Sequence, residues 1–390
     1  MSGKVLILGS TGSIGEQALE VIAGSDELEV AGLSAGRRWE RLCEQALELG
    51  VPAVAITDAA AAAHATAELE GRVGVLSGAE GVRELIVGSG ADVVLNAIVG
   101  SAGLGPTIVA LGEGIELALA NKESLVVGGD LVTALAEATD TRIVPVDSEH
   151  SALFQLISGE PPGSVERLVL TASGGPFRGR NDLAEVSVAE ALAHPTWDMG
   201  GRITIDSATL ANKGFEVIEA HHLFGVPYDR IDVLVHPQSI VHSLIHLGDG
   251  ASLAHLGQPD MRVPISYALH HPERADLPLD PLDLAAVGEL SFERPDTATF
   301  PLLRLAREAG EAGGTAPCVL NAADEIAVEA FLAERIPFTG IAEVVERTLE
   351  ALPATVPGHF EDLYAADAEG RAHARELVGQ AGREAGVVRP

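Results

Sequence analysis

The chain has 390 residues, 47% apolar and only 4% aromatic, and its 25 basic and 57 acidic side chains leave a formal charge of −32. The apolar share suffices for a buried core and excludes a disordered chain, and at roughly 100–200 residues per domain the length predicts two or three domains. The negative excess argues against a nucleic-acid or anionic-membrane binder, while a local positive pocket still accommodates a small phosphorylated ligand.

Two distant cysteines, Cys43 and Cys318, make no disulfide framework. No apolar run reaches the ~18 residues of a membrane helix, and the opening Val5-Leu6-Ile7-Leu8 with glycines after it does not read as a signal peptide. These features predict a cytoplasmic protein. Lysine is scarce: Lys4, Lys122 and Lys213 stand against 22 arginines. A retained lysine therefore points to a need for a compact ammonium.

Short apolar runs alternate with helical stretches over residues 1–146: Val5–Leu8, Val30–Leu33, Ala53–Ile56, Val73–Leu76, Val93–Val99, Ile115–Ala120 and Ile143–Val146. They predict parallel strands with crossover helices, an α/β, doubly wound, Rossmann-like domain. A central α/β catalytic domain follows at 147–272, with strands expected at Arg167–Thr171 and Ile203–Asp206. Between them the Gly/Pro-containing segment 174–201 reads as a lid, and 240–256 reads as a hairpin. Residues 273–296 predict a connecting arm. From 297 to 390 the pattern is helical. There Ile341, Val344, Val345, Thr348, Leu349 and Leu352 mark one helix face of a C-terminal bundle.

Gly9, Gly12 and Gly15 follow the first strand and open a helix. This variant of the dinucleotide fingerprint cradles a pyrophosphate on helix N-terminal amides, or else is a structural turn. The second strand ends Gly36-Arg37-Arg38, with guanidiniums where a ribose-binding acid would mark NAD, and so predicts NADP. Asn121-Lys122-Glu123-Ser124 lies at the carboxyl end of a strand, where ligands bind in such sheets. Asp147 and Glu149 point to one side if their backbone is extended, and then call for a proton or a cation between them.

Asp206–Glu216 reads as a strand end followed by a helix capped by Ser207 or Thr209, with Asn212, Lys213 and Glu216 on one face. Lys213 and Glu216 there form either a plain helix ion pair or a phosphate group beside a metal ligand. Oxygen donors from Asp147, Glu149 and Glu216 suit Mg²⁺ or Mn²⁺. His236, His242, His246 and His255 around the hairpin read as packing or interface residues. His194 shares the lid with Trp197, which would form an aromatic cover.

Together, these segments resemble the 1-deoxy-D-xylulose 5-phosphate reductoisomerase family. The matching strings are Gly9–Gly15, Asn121–Ser124, Pro145–His150, Thr171–Phe177, His194–Met199, Asp206–Glu216, His236–Ser239, Gln258–Met261 and Leu320–Glu325. The resemblance implies NADPH contacts from Thr11, Gly12, Ser13, Ile14, Gly36, Arg37, Arg38, Asn121, Glu123 and Gly200. It implies Asp147, Glu149 and Glu216 as ligands of Mn²⁺ or Mg²⁺. It also implies that Lys122, Ser148, Glu149, Ser173, His194, Ser207, Asn212, Lys213 and Glu216 bind the sugar phosphate, with Lys122, Glu149, His194 and Lys213 nearest the chemistry. Arg38 stands where members often have Asn, and Ala172 where some have Gly.

The implied reaction of the non-mevalonate isoprenoid pathway breaks a carbon–carbon bond in a retro-aldol step. The fragments rejoin as a branched aldehyde, which NADPH reduces to 2-C-methyl-D-erythritol 4-phosphate. The family resemblance further implies a homodimer. Two other readings are a simple NADP-dependent dehydrogenase of the semialdehyde or homoserine type and a non-catalytic NADPH-binding protein. Neither has a use for three carboxylates and the Lys213 helix.

Overall fold

A computed structural model describes residues 3–197 and 199–384. The chain folds as two compact units. The first comprises the residues up to Ser124, Val132–Phe154 and Asp260–Asp280; the second comprises Leu125–Leu131, Gln155–Pro259 and the chain from Pro281 onward. Among the described residues no helix is long and apolar enough to cross a membrane.

The first unit is built on seven strands: β1 (Gly3–Leu8), β2 (Leu28–Ala35), β3 (Ala53–Ile56), β4 (Gly74–Ser77), β5 (Val93–Asn96), β6 (Glu116–Leu119) and β7 (Ile143–Pro145). They pair in the order β4-β3-β2-β1-β5-β6-β7, parallel throughout. The order reverses direction after β1, so the crossover helices cover both faces and the strands read as unbroken apolar runs. Val5, Leu6, Ile7 and Leu8 of β1 are wholly buried. Helix Arg262–His270 returns to this unit late in the sequence and adds Ile265, Ala268 and Leu269 to the core.

The second unit holds a four-stranded sheet, β8 (Val165–Ala172), β9 (Ile231–Val235), β10 (Val241–Leu247) and β11 (Ser252–Leu256), in the order β11-β10-β8-β9. The expected hairpin is β10–β11, antiparallel, with Leu244 opposite Ala254. Strand β9 has no counterpart in the sequence expectations. It pairs parallel with β8. Helices Leu302–Ala312, Ala316–Leu332, Phe338–Ala351 and Phe360–Glu384 form the expected bundle, with Ile341, Val344, Val345 and Thr348 buried.

The segment expected as a strand at Ile203–Asp206 is instead helical, Gly201–Ala208. Its Ile/Thr/Ile alternation imitates a strand, yet Thr204, Ile205 and Asp206 are all buried, which one sheet face does not allow. Gly200 opens this helix, and the Thr204 hydroxyl donates to the Gly200 carbonyl at 2.9 Å. A second helix, Ala211–Phe224, follows after Leu210, whose φ of +62° makes the corner between them. Ser207 thus sits in the last turn of one helix rather than capping the next. Thr209 Oγ1 accepts the Ala211 amide at 3.3 Å.

Candidate active site

The glycine turn is shaped by close backbone approach. Gly9 has φ +86°, and a Cβ there would lie 2.7 Å from the Ala97 carbonyl oxygen. A Cβ on Gly15 would lie 2.4 Å from the Gly9 carbonyl oxygen. Only glycine lets helix Ser13–Ala23 start this close to the turn. Gly12, at its N-cap, is extended, and no side chain caps the first amides of the helix. Thr11 is buried, whereas Gly12 and Ser13 are exposed. At the end of β2, Arg37 Nε is 3.4 Å from Asp58 Oδ2, and Arg38 Nη1 donates to the Thr11 carbonyl at 2.9 Å.

Asn121 Nδ2 donates to the carbonyls of Ile98 (2.6 Å) and Gly100 (2.9 Å), and Glu123 accepts the Gly100 amide at 3.1 Å. These two residues fix the loop after β5. Lys122, 6% exposed, follows β6 and forms an ion pair with Asp147, which follows the neighbouring β7. Burial alone would raise the Asp147 carboxyl. The Lys122 ammonium and then His150 outweigh it and hold the group well below the usual carboxylate range.

The backbone does not stay extended from Asp147 to Glu149. The Asp147 carbonyl accepts the Ser151 amide at 2.8 Å, and helix Ser148–Ser158 places Glu149 in its first turn. Ser148 Oγ donates to Glu149 Oε2 at 2.6 Å. Lys122, Asp147, Ser148 and Glu149 therefore lie at the carboxyl ends of adjacent parallel strands.

In the second unit, Ser173 follows β8, and its Oγ lies 2.9 Å from His194 Nε2. His194 Nδ1 accepts the amides of Thr196 (3.2 Å) and Trp197 (2.9 Å). Burial lowers the His194 pKa below the ordinary value. The segment expected as a lid carries a short helix, Val188–Ala191, with a Ser187–Glu190 capping box. Trp197 is half-buried and Gly200 is exposed, while Asp198 of the matching string lies outside the described residues. Gly174 and Gly175 both have positive φ, and a Cβ on Gly175 would lie 2.8 Å from the Ser207 carbonyl oxygen.

Asn212 Nδ2 donates to Glu216 Oε1 at 2.6 Å, and Lys213 pairs with Glu216 Oε2. Lys213 is 3% exposed and Glu216 1%. That burial removes the plain surface-pair reading of these two residues. Around the hairpin, His236 is wholly buried and stacks on Phe292 at 4.6 Å, and the His242 and His255 rings lie 5.7 Å apart.

Two residues near these positions carried no weight in the sequence. His150, wholly buried, is 3.6 Å from Asp147 Oδ1; its i+3 spacing on a helix was the available signal. Arg202 donates to Glu325 (2.8 Å) and Asn321 (3.0 Å), over a hundred residues away, where no local spacing announces it.

A glycine turn at the first strand of a doubly wound sheet, with arginines in place of a ribose-binding acid, defines an NADP-type α/β oxidoreductase. The 1-deoxy-D-xylulose 5-phosphate reductoisomerase family model matches residues 5–129, and models of that enzyme's C-terminal domain match 143–224 and 256–373. The enzyme of that name from Symbiobacterium thermophilum is 51% identical over 96% of this chain and 99% of its own length. Its counterpart from Geobacillus kaustophilus is 50% identical over 96% and 99%. The Zymomonas mobilis enzyme, solved with NADPH, superposes with a TM-score of 0.90 at 41% identity, covering 97% and 99% of the two chains. A DOX-P reductoisomerase solved with NADPH, fosmidomycin and magnesium gives 0.92 at 38%, covering 97% and 98%. The chain belongs to the 1-deoxy-D-xylulose 5-phosphate reductoisomerase family.

Proposed function

We propose that this chain converts 1-deoxy-D-xylulose 5-phosphate to 2-C-methyl-D-erythritol 4-phosphate in isoprenoid biosynthesis, using NADPH and a divalent cation. The observation that carries this reading is about 50% identity to enzymes of that name over nearly their whole length. Likeness on that scale covers the catalytic segments as well as the nucleotide-binding half, which a simple dehydrogenase would share only in its first domain.

The donor chemistry suits the cation. Asp147, Glu149 and Glu216 offer carboxylate oxygens, the ligands that Mg²⁺ and Mn²⁺ take, and Glu216 is a carboxylate held almost wholly away from water. We assign these three residues as its ligands. When bound, the cation supplies Lewis-acid polarisation of the substrate's ketone and adjacent hydroxyl, and NADPH supplies the hydride.

The chain's own residues do the rest. The amides at Thr11–Ile14 receive the pyrophosphate, Gly36, Arg37 and Arg38 flank the adenosine end, and Asn121, Glu123 and Gly200 border the cofactor. Ser173, Ser207, Asn212 and Lys213 hold the substrate phosphate. Lys122 keeps Asp147 ionised, and Ser148 orients Glu149. His194 and Trp197 cover the substrate and exclude water while the carbon skeleton is broken and remade. Residues 1–146 serve as the nucleotide domain, whose core helix Arg262–His270 joins; the rest of 147–272 serves as the catalytic domain and 297–390 as a helical support reached through the arm 273–296. The protein works as a cytoplasmic homodimer to which the hairpin 240–256 contributes.

The testing assay follows NADPH absorbance. Oxidation is expected only when a divalent cation and deoxyxylulose phosphate are both present. Oxidation that proceeds with a semialdehyde in place of deoxyxylulose phosphate, or without metal, would overturn the reading.

A further inference from the structure

One face of helix Trp39–Leu49, with the residue before it, is turned onto the glycine loop. Arg38, Arg41 and Gln45 stand at i, i+3 and i+7, the spacing of a single helix face. Arg38 Nη1 donates to the Thr11 carbonyl at 2.9 Å. Arg41 donates from Nε and Nη2 to the two oxygens of Glu16, each at 2.8 Å. Gln45 Nε2 donates to the Ser10 carbonyl (3.1 Å) and Glu16 Oε1 (3.0 Å), while its Oε1 accepts the Ser10 hydroxyl at 2.8 Å. Gln45 is 1% exposed and Ser10 is wholly buried. The loop is thus tied to this helix and its N-cap at Ser10 and Thr11 and again at Glu16.

These ties bear on anion binding. A cradle of backbone amides binds well only when its N–H groups already point at the ligand. Glu16 lies in the first turn of helix Ser13–Ala23, where a free carboxylate would oppose a pyrophosphate. The fork of Arg41 draws it aside and balances its charge. Arg37 differs from its neighbour: its side chain is 88% exposed and makes only a 3.4 Å approach to Asp58.

We propose that the two adjacent arginines divide the work of cofactor binding. Arg37 reads the 2′-phosphate that distinguishes NADPH from NADH. Arg38, with Gln45, is a positioning residue that holds the glycine loop and serves both dinucleotides equally. The proposal rests on the NADPH reading above.

The test is equilibrium titration of NADPH and NADH into the full-length protein, followed by nicotinamide fluorescence. It compares the parent with Arg37→Ala, Arg38→Ala, Arg38→Lys and Gln45→Leu. Arg37→Ala is expected to weaken NADPH about tenfold or more and leave NADH nearly unchanged, as for loss of a charge-assisted bond. Arg38→Ala and Gln45→Leu are expected to weaken both dinucleotides by one common factor, about three- to tenfold, with the preference ratio preserved. Arg38→Lys, which keeps a donor, recovers part of the loss. A narrowed NADPH preference in Arg38→Ala, or unchanged affinities there, overturns the division of labour, and this exposed side chain tests it even if Gln45→Leu fails to fold. A parent that binds neither dinucleotide, or prefers NADH, overturns the underlying reading instead.

Discussion

Ser173 Oγ and His194 Nε2 lie 2.9 Å apart, joining residues 21 positions apart in the chain. Because His194 Nδ1 accepts two backbone amides, a neutral ring carries its proton on Nε2 and donates to Ser173. Ser173 Oγ also accepts the Gly175 amide at 3.2 Å. With both acceptances filled, the hydroxyl keeps its own proton to donate. Ser173→Ala and His194→Ala are each expected to lower kcat/KM about tenfold. Their double mutant should lose less than the product, with a coupling of about 1 kcal/mol. Strictly multiplicative losses in the three sets of kinetics would show that the two residues act separately.

Lys213 is buried, third in its helix, and paired with a buried carboxylate. Removing it is expected to lower kcat/KM by at least about tenfold, roughly 1.4 kcal/mol, with NADPH affinity unchanged. Stability should fall too, because taking one partner from a buried pair leaves Glu216 uncompensated, a cost of about 3–5 kcal/mol. Steady-state kinetics and urea unfolding of Lys213→Ala together check this. A kinetic loss under threefold would leave Lys213 a structural residue only.

Glu216→Gln keeps the shape and the Asn212 contact while removing the charge. Metal-dependent turnover is expected to collapse while NADPH titration stays normal. The same variant should gain little from raised Mg²⁺ or Mn²⁺. Full activity at low metal would show that this carboxylate is not a ligand.

His222 predicts an acid-sensitive step in stability. Its ring covers Gly129, where a Cβ would lie 2.2 Å from it. Burial, then His221, push its pKa from 6.5 down to about 4, although Asp130 pulls the other way. A folded-state pKa below the unfolded one means that the unfolded chain binds more protons. The contribution is therefore present above about pH 6.5 and is lost as pH falls toward about 4, by roughly 3 kcal/mol. His222→Gln is expected to flatten the fall in unfolding free energy between pH 6.5 and 4.5 relative to the parent. Parallel curves in urea titrations would contradict this.

The seven-stranded sheet was legible in the sequence because strands buried on both faces must be apolar throughout, and crossover helices space them evenly. The glycine turn was legible because its requirement is steric and local. The bundle's apolar stripe repeats at helical spacing, which needs no knowledge of the partner. Ile203–Asp206 was misread for the same reason in reverse, since a four-residue alternation of branched side chains fits a strand as well as a helix end. Strand β9 escaped notice among the turns that flank it.

Tertiary structure alone decided what the charged residues do. Spacing put Lys213 and Glu216 on one face, but only packing put both away from water and turned a weak surface pair into a buried one. The adjacency of Lys122 and Asp147 comes from β6 pairing with β7, 25 residues apart in sequence. Arg38 meets Thr11 after β1 and Arg37 approaches Asp58 after β3 because β2 pairs with β1 on one side and β3 on the other. Local sequence determines which backbone shapes and buried faces are available. Long-range packing determines which charges meet and how much water remains between them, and the strength of their interaction depends on both.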